Sequence, residues 1–141
     1  MRVRCFCDGG ARGNPGPAAA GAVVVGENGD TLAGCGRFLG TATNNAAEYQ
    51  GVLLGLELAR RAGADHVSLR LDSELIVKQL QGTYRVRHPD MRRWHARVEK
   101  ELAGFAGWDV KHVPRGENRL ADRLVNRALD RRNEVADAPD G

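Results

Sequence analysis

The sequence has few cysteines and no spacing of them that indicates a disulfide framework or a metal site. The three cysteines are Cys5, Cys7 and Cys35, and no C-x-x-C pair is present. An odd number without that spacing argues against a disulfide-stapled domain, a zinc motif and a thioredoxin-like centre. We expect all three thiols to be small buried side chains in a protein from a reducing compartment.

Long apolar runs are also missing. The longest such stretch, residues 51–59, contains Glu57 and is far shorter than the ~20 residues that a membrane-spanning helix needs. The first six residues alternate between charged and apolar types, unlike a signal peptide. We therefore expect a soluble, cytoplasmic protein with no membrane partner, consisting of one domain over residues 1–132 and a polar, frayed tail over 133–141.

The totals are those of an ordinary globular chain. Of the 141 residues, 42% are apolar and 28% are charged, which suffices for a core without disulfides or structural metals. The net charge of +3 does not by itself indicate a polyanionic partner. No extended apolar seam is visible, so we expect a monomer.

Apolar periodicity predicts five strands and four helices. Strands are predicted at residues 2–8, 20–25, 31–39, 66–72 and 108–113, and helices at 45–62, 74–80, 89–105 and 120–131. The order β-β-β-α-β-α-α-β-α predicts an α/β fold. Its five-stranded mixed sheet would combine a three-stranded antiparallel meander with two parallel strands, flanked by helices.

Four acids lie where this fold can bring them together. Asp8 and Asp72 end two strands that would be parallel, Glu48 lies in the first turn of the first long helix, and Asp122 lies near the start of the last. Ligands in open α/β sheets gather at the carboxyl ends of parallel strands. Taken singly, each acid could equally be a turn residue, a helix cap or a first-turn acid favoured by the helix dipole.

If the four carboxylates converge, a cation must neutralise them. Oxygen ligands without histidine or thiolate favour Mg²⁺ or Mn²⁺. Two such ions side by side would clamp the attacking water and the leaving oxygen of a phosphodiester.

At this point the residues resemble the type 1 ribonuclease H family. The matching segments are 7–10 (CDGG), 12–17 (RGNPGP), 43–48 (TNNAAE), 71–73 (LDS), 112–118 (HVPRGEN) and 121–122 (AD). They occur in the family's order across about residues 1–130, and the family's ribonuclease H-like fold has the element order predicted above.

The resemblance implies an endonuclease that hydrolyses the RNA strand of RNA–DNA hybrids and leaves 3′-hydroxyl and 5′-phosphate ends. It implies that Asp8, Glu48, Asp72 and Asp122 hold two Mg²⁺ ions, with Mn²⁺ as a substitute. It also implies substrate contacts for four polar residues, with the three amides at the minor groove and the threonine at a DNA-strand phosphate: Asn14, Thr43, Asn44 and Asn45. Neutral amides suit 2′-hydroxyls and base edges, although turn and cap duty is their alternative role.

Two features depart from many family members. The connection from Gly82 to Asp90 leaves no room for the basic helical protrusion that many relatives carry, so the chain resembles the compact members. A smaller basic grip could come from Tyr84, Arg85, Arg87, His88, Arg92 and Arg93, or these could form an ordinary solvated face. The basic residue that assists attack or product release is expected to be Arg115, with His112 as the alternative.

Other functions share parts of this pattern. Transposases, integrases and junction resolvases have a similar sheet and acid cluster but act on DNA, and a hybrid-binding module without activity would keep the fold. The loop GGARGNPG could also be an unrelated phosphate-binding loop, but it lacks the Gly-Lys-Ser/Thr ending of a P-loop. The retained four acids and the asparagine set favour the hybrid-cleaving enzyme. We also expect that the bare backbone of Gly9 and Gly10 lets a nucleic-acid strand approach Asp8.

Overall fold

Six strands form one mixed sheet in the computed structural model, which describes residues 1–136. They are β1 (Arg2–Ala11), β2 (Gly16–Gly26), β3 (Thr31–Ala42), β4 (His66–Leu71), β5 (Gly107–His112) and β6 (Val135–Ala136). Their order across the sheet is β5-β4-β1-β2-β3-β6. Strands β4 and β5 run parallel to β1, while β2, β3 and β6 are antiparallel to their neighbours. The meander and the two parallel strands are therefore confirmed.

The sixth strand corrects the expected five-stranded sheet and part of the expected frayed tail. Val135 is 7% exposed and packs with the apolar residues of the last helix, and β6 pairs with Cys35 and Gly36 of β3. A two-residue strand is too short to produce an alternating pattern, so sequence periodicity could not reveal it. The rest of the expected tail, 137–141, lies outside the described residues, and the domain boundary at residue 132 stays a prediction.

Four helices cover the two faces of the sheet. They are α1 (Asn44–Arg61), α2 (Glu74–Leu80), α3 (Pro89–Leu102) and α4 (Arg119–Arg131). The larger core contains the inward side chains of β1 and β4 with those of α1, α2 and α3. A smaller core joins α4 to the opposite face of β2. All three cysteines are buried and unpaired, as expected.

Several boundaries differ from the sequence prediction. The loop expected over residues 9–17 shrinks, because β1 continues to Ala11 and β2 already begins at Gly16. Helix α1 begins at Asn44, with Thr43 as its N-cap, so Glu48 is its fifth residue and lies beyond the first turn. No helix within residues 1–136 is long and apolar enough to cross a membrane.

Candidate active site

Four elements bring the four predicted acids into one cleft. Asp8 lies in β1 opposite Gly21 of β2, Asp72 directly follows β4, and Glu48 and Asp122 come from α1 and α4. All four line a cleft of about 520 Å³ that opens at the carboxyl ends of β1 and β4. The parallel pairing of β1 with β4 ends at Cys7 and Leu71, so Asp8, which lies within β1 and not at its end as expected, and Asp72 are the next residues on adjacent strands. The convergence expected from the sequence is thus present.

Two glycines set the distance between α1 and β1. A Cβ atom on Gly9 would overlap the main chain of Ala47, and one on Gly51 would overlap the carbonyl of Asp8. Because Gly9 and Gly51 have no side chains, α1 can lie directly against β1, which brings Glu48 into the same cleft as Asp8 and Asp72. Gly9 therefore serves helix packing. A Cβ atom on Gly10 would meet only Cγ1 of Val125, at an ordinary contact distance of 4.0 Å. Gly9 and Gly10 also line the cleft, and the approach of a nucleic-acid strand along their bare backbone stays a prediction.

The electrostatics of the cleft are those of acids gathered without enough positive charge. Burial, followed by the neighbouring Asp72, raises the pKa of Asp8 to about 8. Asp122 adds to this rise through its charge and a side-chain hydrogen bond. Burial also raises the pKa of Glu48 to about 7, although a hydrogen bond to Ser73 and the charge of Arg115 act in the opposite direction. The negative charge of Asp72 contributes to the raised pKa of both Asp8 and Glu48.

These oxygens suit a hard divalent cation that retains water or substrate ligands. Among residues 1–136, no three acidic, histidine or cysteine side chains are placed tightly enough to hold one ion by themselves. Mg²⁺ commonly binds through one or two carboxylates and completes its octahedral shell with waters and substrate phosphates. The donor set therefore fits ions that bind together with a phosphate-bearing ligand, and it does not form a closed protein cage.

Three asparagines form one rim of the cleft. Asn14, Asn44 and Asn45 all line it. Oδ1 of Asn14 accepts from the main-chain nitrogen of Asn44 at 3.1 Å, and Oδ1 of Asn44 accepts from that of Ala11 at 2.8 Å. The structure thus ties the loop after β1 to the start of α1.

Thr43 lies on the neighbouring surface. Its hydroxyl caps α1 by accepting from the main-chain nitrogen of Ala46 at 3.2 Å. Thr43 and Asn45 also line a second groove of about 610 Å³, together with Arg93 and Trp94 of α3. The threonine therefore has a cap role in the fold and an exposed position where a phosphate could bind.

The two candidate basic residues occupy different places. Arg115 begins a short 3-10 turn, Arg115–Glu117, and lines the acid cleft. Nε2 of His112 lies 3.2 Å from the main-chain oxygen of Asp72, at the end of edge strand β5. The structure brings Arg115 together with the acids and leaves His112 beside them, outside the lining of the cleft.

The connection from α2 to α3 is short. No helix lies between Leu80 and Pro89 in the described part of the chain. Two contacts attach this connection to the helices on either side. Nζ of Lys78 in α2 lies 5.6 Å from the centre of the Tyr84 ring, and His88 caps α3 by accepting from the main-chain nitrogen of Asp90. The expected small basic grip includes exposed side chains on this connection and on the first turns of α3, namely Tyr84, Arg85, Arg87, His88, Arg92 and Arg93.

Sequence reasoning missed the contacts of Ser73 and Asn118. Ser73 is the N-cap of α2, where its hydroxyl accepts from the nitrogen of Ile76, and its side chain also lies beside Glu48 and lowers the pKa of that acid. Asn118 reaches both β1 and Asp72. A serine or asparagine before a helix signals only a cap, so neither contact could be found without the fold.

Comparisons of the chain with protein families and solved structures agree with this architecture. The family model described as reverse transcriptase-like covers residues 6–128. An acid cleft at the carboxyl ends of β1 and β4, in a sheet of this order, defines the ribonuclease H-like class. The solved ribonuclease H1 of the halophilic archaeon Halobacterium salinarum is 46% identical, with a TM-score of 0.91, and the alignment covers 93% of this chain and 99% of that one.

The chain belongs to the type 1 ribonuclease H family. Ribonuclease HI of Halobacterium salinarum is 47% identical over 129 residues, which are 92% of this chain and 65% of that protein. Mycobacterial relatives at 41% identity are longer still, and this chain spans 36% of their length. A ribonuclease H1 solved in complex with an RNA/DNA hybrid is 38% identical, with a TM-score of 0.88 and coverage of 92% of this chain and 98% of that one.

Proposed function

We propose that this protein is an endonuclease that hydrolyses the RNA strand of RNA–DNA hybrids and leaves 3′-hydroxyl and 5′-phosphate ends. The observation that carries the proposal is the convergence of Asp8, Glu48, Asp72 and Asp122 in one cleft whose rim is formed by asparagines. Family membership and a related enzyme solved with an RNA/DNA hybrid support it.

The acids would hold two Mg²⁺ ions, with Mn²⁺ as a substitute. Asp8 and Asp72 would be the central ligands, Glu48 would serve one ion, and Asp122 would complete the other. When bound, such ions activate a water and neutralise charge on the scissile phosphate. The raised pKa values of Asp8 and Glu48 mean that ion binding at neutral pH must displace protons from the cleft.

The reaction adds the oxygen of water to phosphorus and breaks the bond from phosphorus to the 3′ oxygen. The water gives up its proton, and the departing 3′ oxygen takes one. Arg115, a permanent cation beside Glu48, would stabilise the charge on the phosphate oxygens and assist release of the product. His112 remains the alternative for this role.

The asparagine rim would distinguish RNA from DNA. Asn44 uses its Oδ1 on Ala11, which leaves its Nδ2 as the group that can donate to a 2′-hydroxyl or a base edge. Asn14 and Asn45 are exposed on the same rim and offer the same chemistry. The neighbouring Thr43 would seat a phosphate of the DNA strand.

A cytoplasmic location and a monomeric state are proposed from the cysteines and from the exposed apolar side chains. Three buried, unpaired cysteines are compatible with a reducing cytoplasm. The exposed large apolar side chains of the described chain are scattered over several elements, which supports a monomer.

A cleavage assay tests the function. The protein is incubated with labelled RNA–DNA hybrid, duplex DNA or duplex RNA, in Mg²⁺, Mn²⁺ or chelator. Cleavage is expected for the RNA of the hybrid alone, and it is lost with chelator or in Asp8→Asn. Asp30→Asn, which makes the same change on an exposed hairpin acid, should retain full activity. Cleavage of duplex DNA would favour the transposase and resolvase class, and metal-dependent binding without cleavage would favour a binding module.

A further inference from the structure

Asn118 is a buried polar residue at the wall of the acid cleft. It is 1% exposed, and within residues 1–136 the only other buried polar or charged residue is Gln79. The side-chain oxygen of Gln79 is satisfied by the hydroxyl of Tyr49. Oδ1 of Asn118, in contrast, is buried without a hydrogen-bond partner in the described chain. Such a group costs free energy of folding, so its presence requires a reason.

The side chain does not act as a helix cap. Asparagine at the N-cap normally accepts from a main-chain nitrogen in the first turn, and Thr43 and Ser73 do so for α1 and α2. Asn118 occupies the N-cap of α4 but makes no such bond. Its amide group is directed to other partners, and the stabilisation expected from capping is not obtained.

The contacts of Asn118 lie at or beside three of the acids: Asp8, Asp72 and Asp122. Nδ2 of Asn118 donates to the main-chain oxygen of Cys7 at 2.8 Å, in the peptide that precedes Asp8. The same Nδ2 lies 3.4 Å from Oδ2 of Asp72. The main-chain oxygen of Asn118 accepts from the nitrogen of Asp122 at 3.1 Å. One residue thus connects β1, the end of β4 and α4 at the cleft.

The orientation of the amide is fixed by its neighbours. If the amide were flipped, Oδ1 would face the carbonyl oxygen of Cys7 and the carboxylate of Asp72. All three atoms are hydrogen-bond acceptors, so neither contact would have a proton to share. Only the orientation with Nδ2 toward both oxygens is favourable. The unpartnered Oδ1 follows from this requirement.

We propose that Asn118 is a positioning residue that holds the carboxylate of Asp72 in register with Asp8, so that both can bind the same divalent cation. The inference rests on the proposed function of the cleft as a metal-dependent nuclease site. With Oδ2 of Asp72 held by Nδ2, the other carboxylate oxygen would be left to bind the ion. Groups that orient a metal ligand in this way typically change metal affinity by about 10–100-fold when removed.

Metal binding without substrate tests the role directly. Asn118→Leu keeps the branched shape and replaces both the donor nitrogen and the unpartnered oxygen by methyl groups, and Asn118→Ala removes the side chain beyond Cβ. Binding of Mn²⁺ to each purified protein is measured by electron paramagnetic resonance. Both variants should bind Mn²⁺ about 10–100-fold more weakly. In hybrid cleavage, kcat at limiting Mg²⁺ should fall, while KM for the hybrid should stay within about two-fold.

Leu124→Ala is the matched control, because it removes buried volume from α4 without touching Asp72. It should lower the melting temperature and leave Mn²⁺ affinity unchanged. Wild-type Mn²⁺ affinity in a folded Asn118→Leu protein would overturn the proposal, and so would failure of both Asn118 variants to fold. If Mn²⁺ affinity depends on Asn118 but the wild-type protein leaves the hybrid intact, the proposed function fails while the positioning role stands.

Discussion

Replacing Asp8 by asparagine should stabilise the metal-free protein, and the gain should grow with pH. The folded state raises the pKa of Asp8 from 3.8 to about 8. Between these values the folded chain holds a proton that the unfolded chain has released. The unfolded state therefore binds fewer protons, and the free energy of unfolding of the wild-type protein falls as pH rises through this window. Asparagine carries no titrating group and lacks this loss.

The size of the effect follows from the same values. One pKa unit corresponds to 1.36 kcal/mol, so the ceiling for Asp8 between pH 5 and pH 8 is about 4 kcal/mol. Asp8 is partly exposed, and screening by solvent lowers this figure. We expect Asp8→Asn to gain about 2 kcal/mol over wild type on going from pH 5 to pH 8.5.

Urea unfolding followed by circular dichroism, in chelator at pH 5 and pH 8.5, measures this difference. Asp30→Asn, on an exposed hairpin, should run parallel to wild type. Saturating Mg²⁺ at pH 8.5 should stabilise the wild-type protein more than Asp8→Asn, because the ion binds the ionised cleft. If wild type and Asp8→Asn lose stability equally between the two pH values, folding does not raise the pKa of Asp8, and the reasoning from its burial and its acidic neighbours is wrong.

Further predictions concern the basic residue, the helix contact and the substrate. Arg115→Ala should lower turnover of the hybrid by about 10–1,000-fold with a smaller change from His112→Ala, because only Arg115 lines the acid cleft; unchanged turnover in Arg115→Ala with a sharp fall in His112→Ala would reverse the assignment. Gly51→Ala should cost about 2–3 kcal/mol in urea unfolding and reduce turnover, because the new Cβ would overlap the carbonyl of Asp8. Gly116→Ala has nothing within 4 Å of its Cβ position and should stay within about 0.5 kcal/mol of wild type. Because the connection between α2 and α3 is compact, we expect hybrid binding to depend strongly on phosphate charge, so KM for the hybrid should rise steeply between about 50 and 200 mM salt. Six or more phosphate contacts would correspond to a loss of affinity of about 10³-fold over this range. A flat response would show that phosphate charge contributes little.

The acids could be predicted because their positions are visible in local patterns. Asp8 and Asp72 follow alternating apolar runs, and parallel strands joined by right-handed crossovers place such ends at one edge. Asp122 required only the start of an amphipathic helix. Position along an element is a local property, so the sequence alone was sufficient for these residues.

The contacts that hold the acids in place could not be predicted in this way. Gly51 is an ordinary helix-interior glycine until the main chain of Asp8 is placed against it, and Asn118 is an ordinary cap until Cys7 and Asp72 lie beside its amide. Both depend on residues more than forty positions away in sequence. The short strand β6 was missed for the same reason, because its pairing with β3 is set by α4 turning the chain back toward the sheet.

Strand β6 also covers part of a sheet edge. Without it, β3 would present twelve residues of strand as an open sheet edge, which is a template for pairing with another molecule. Pairing at Cys35 and Gly36 interrupts this edge near its middle, and the ion pair between Arg37 and Glu134 places charge beside the interruption. These few residues after α4 therefore shorten the stretch of β3 that is open to edge-to-edge pairing with another molecule, in a part of the fold separate from the acid cleft.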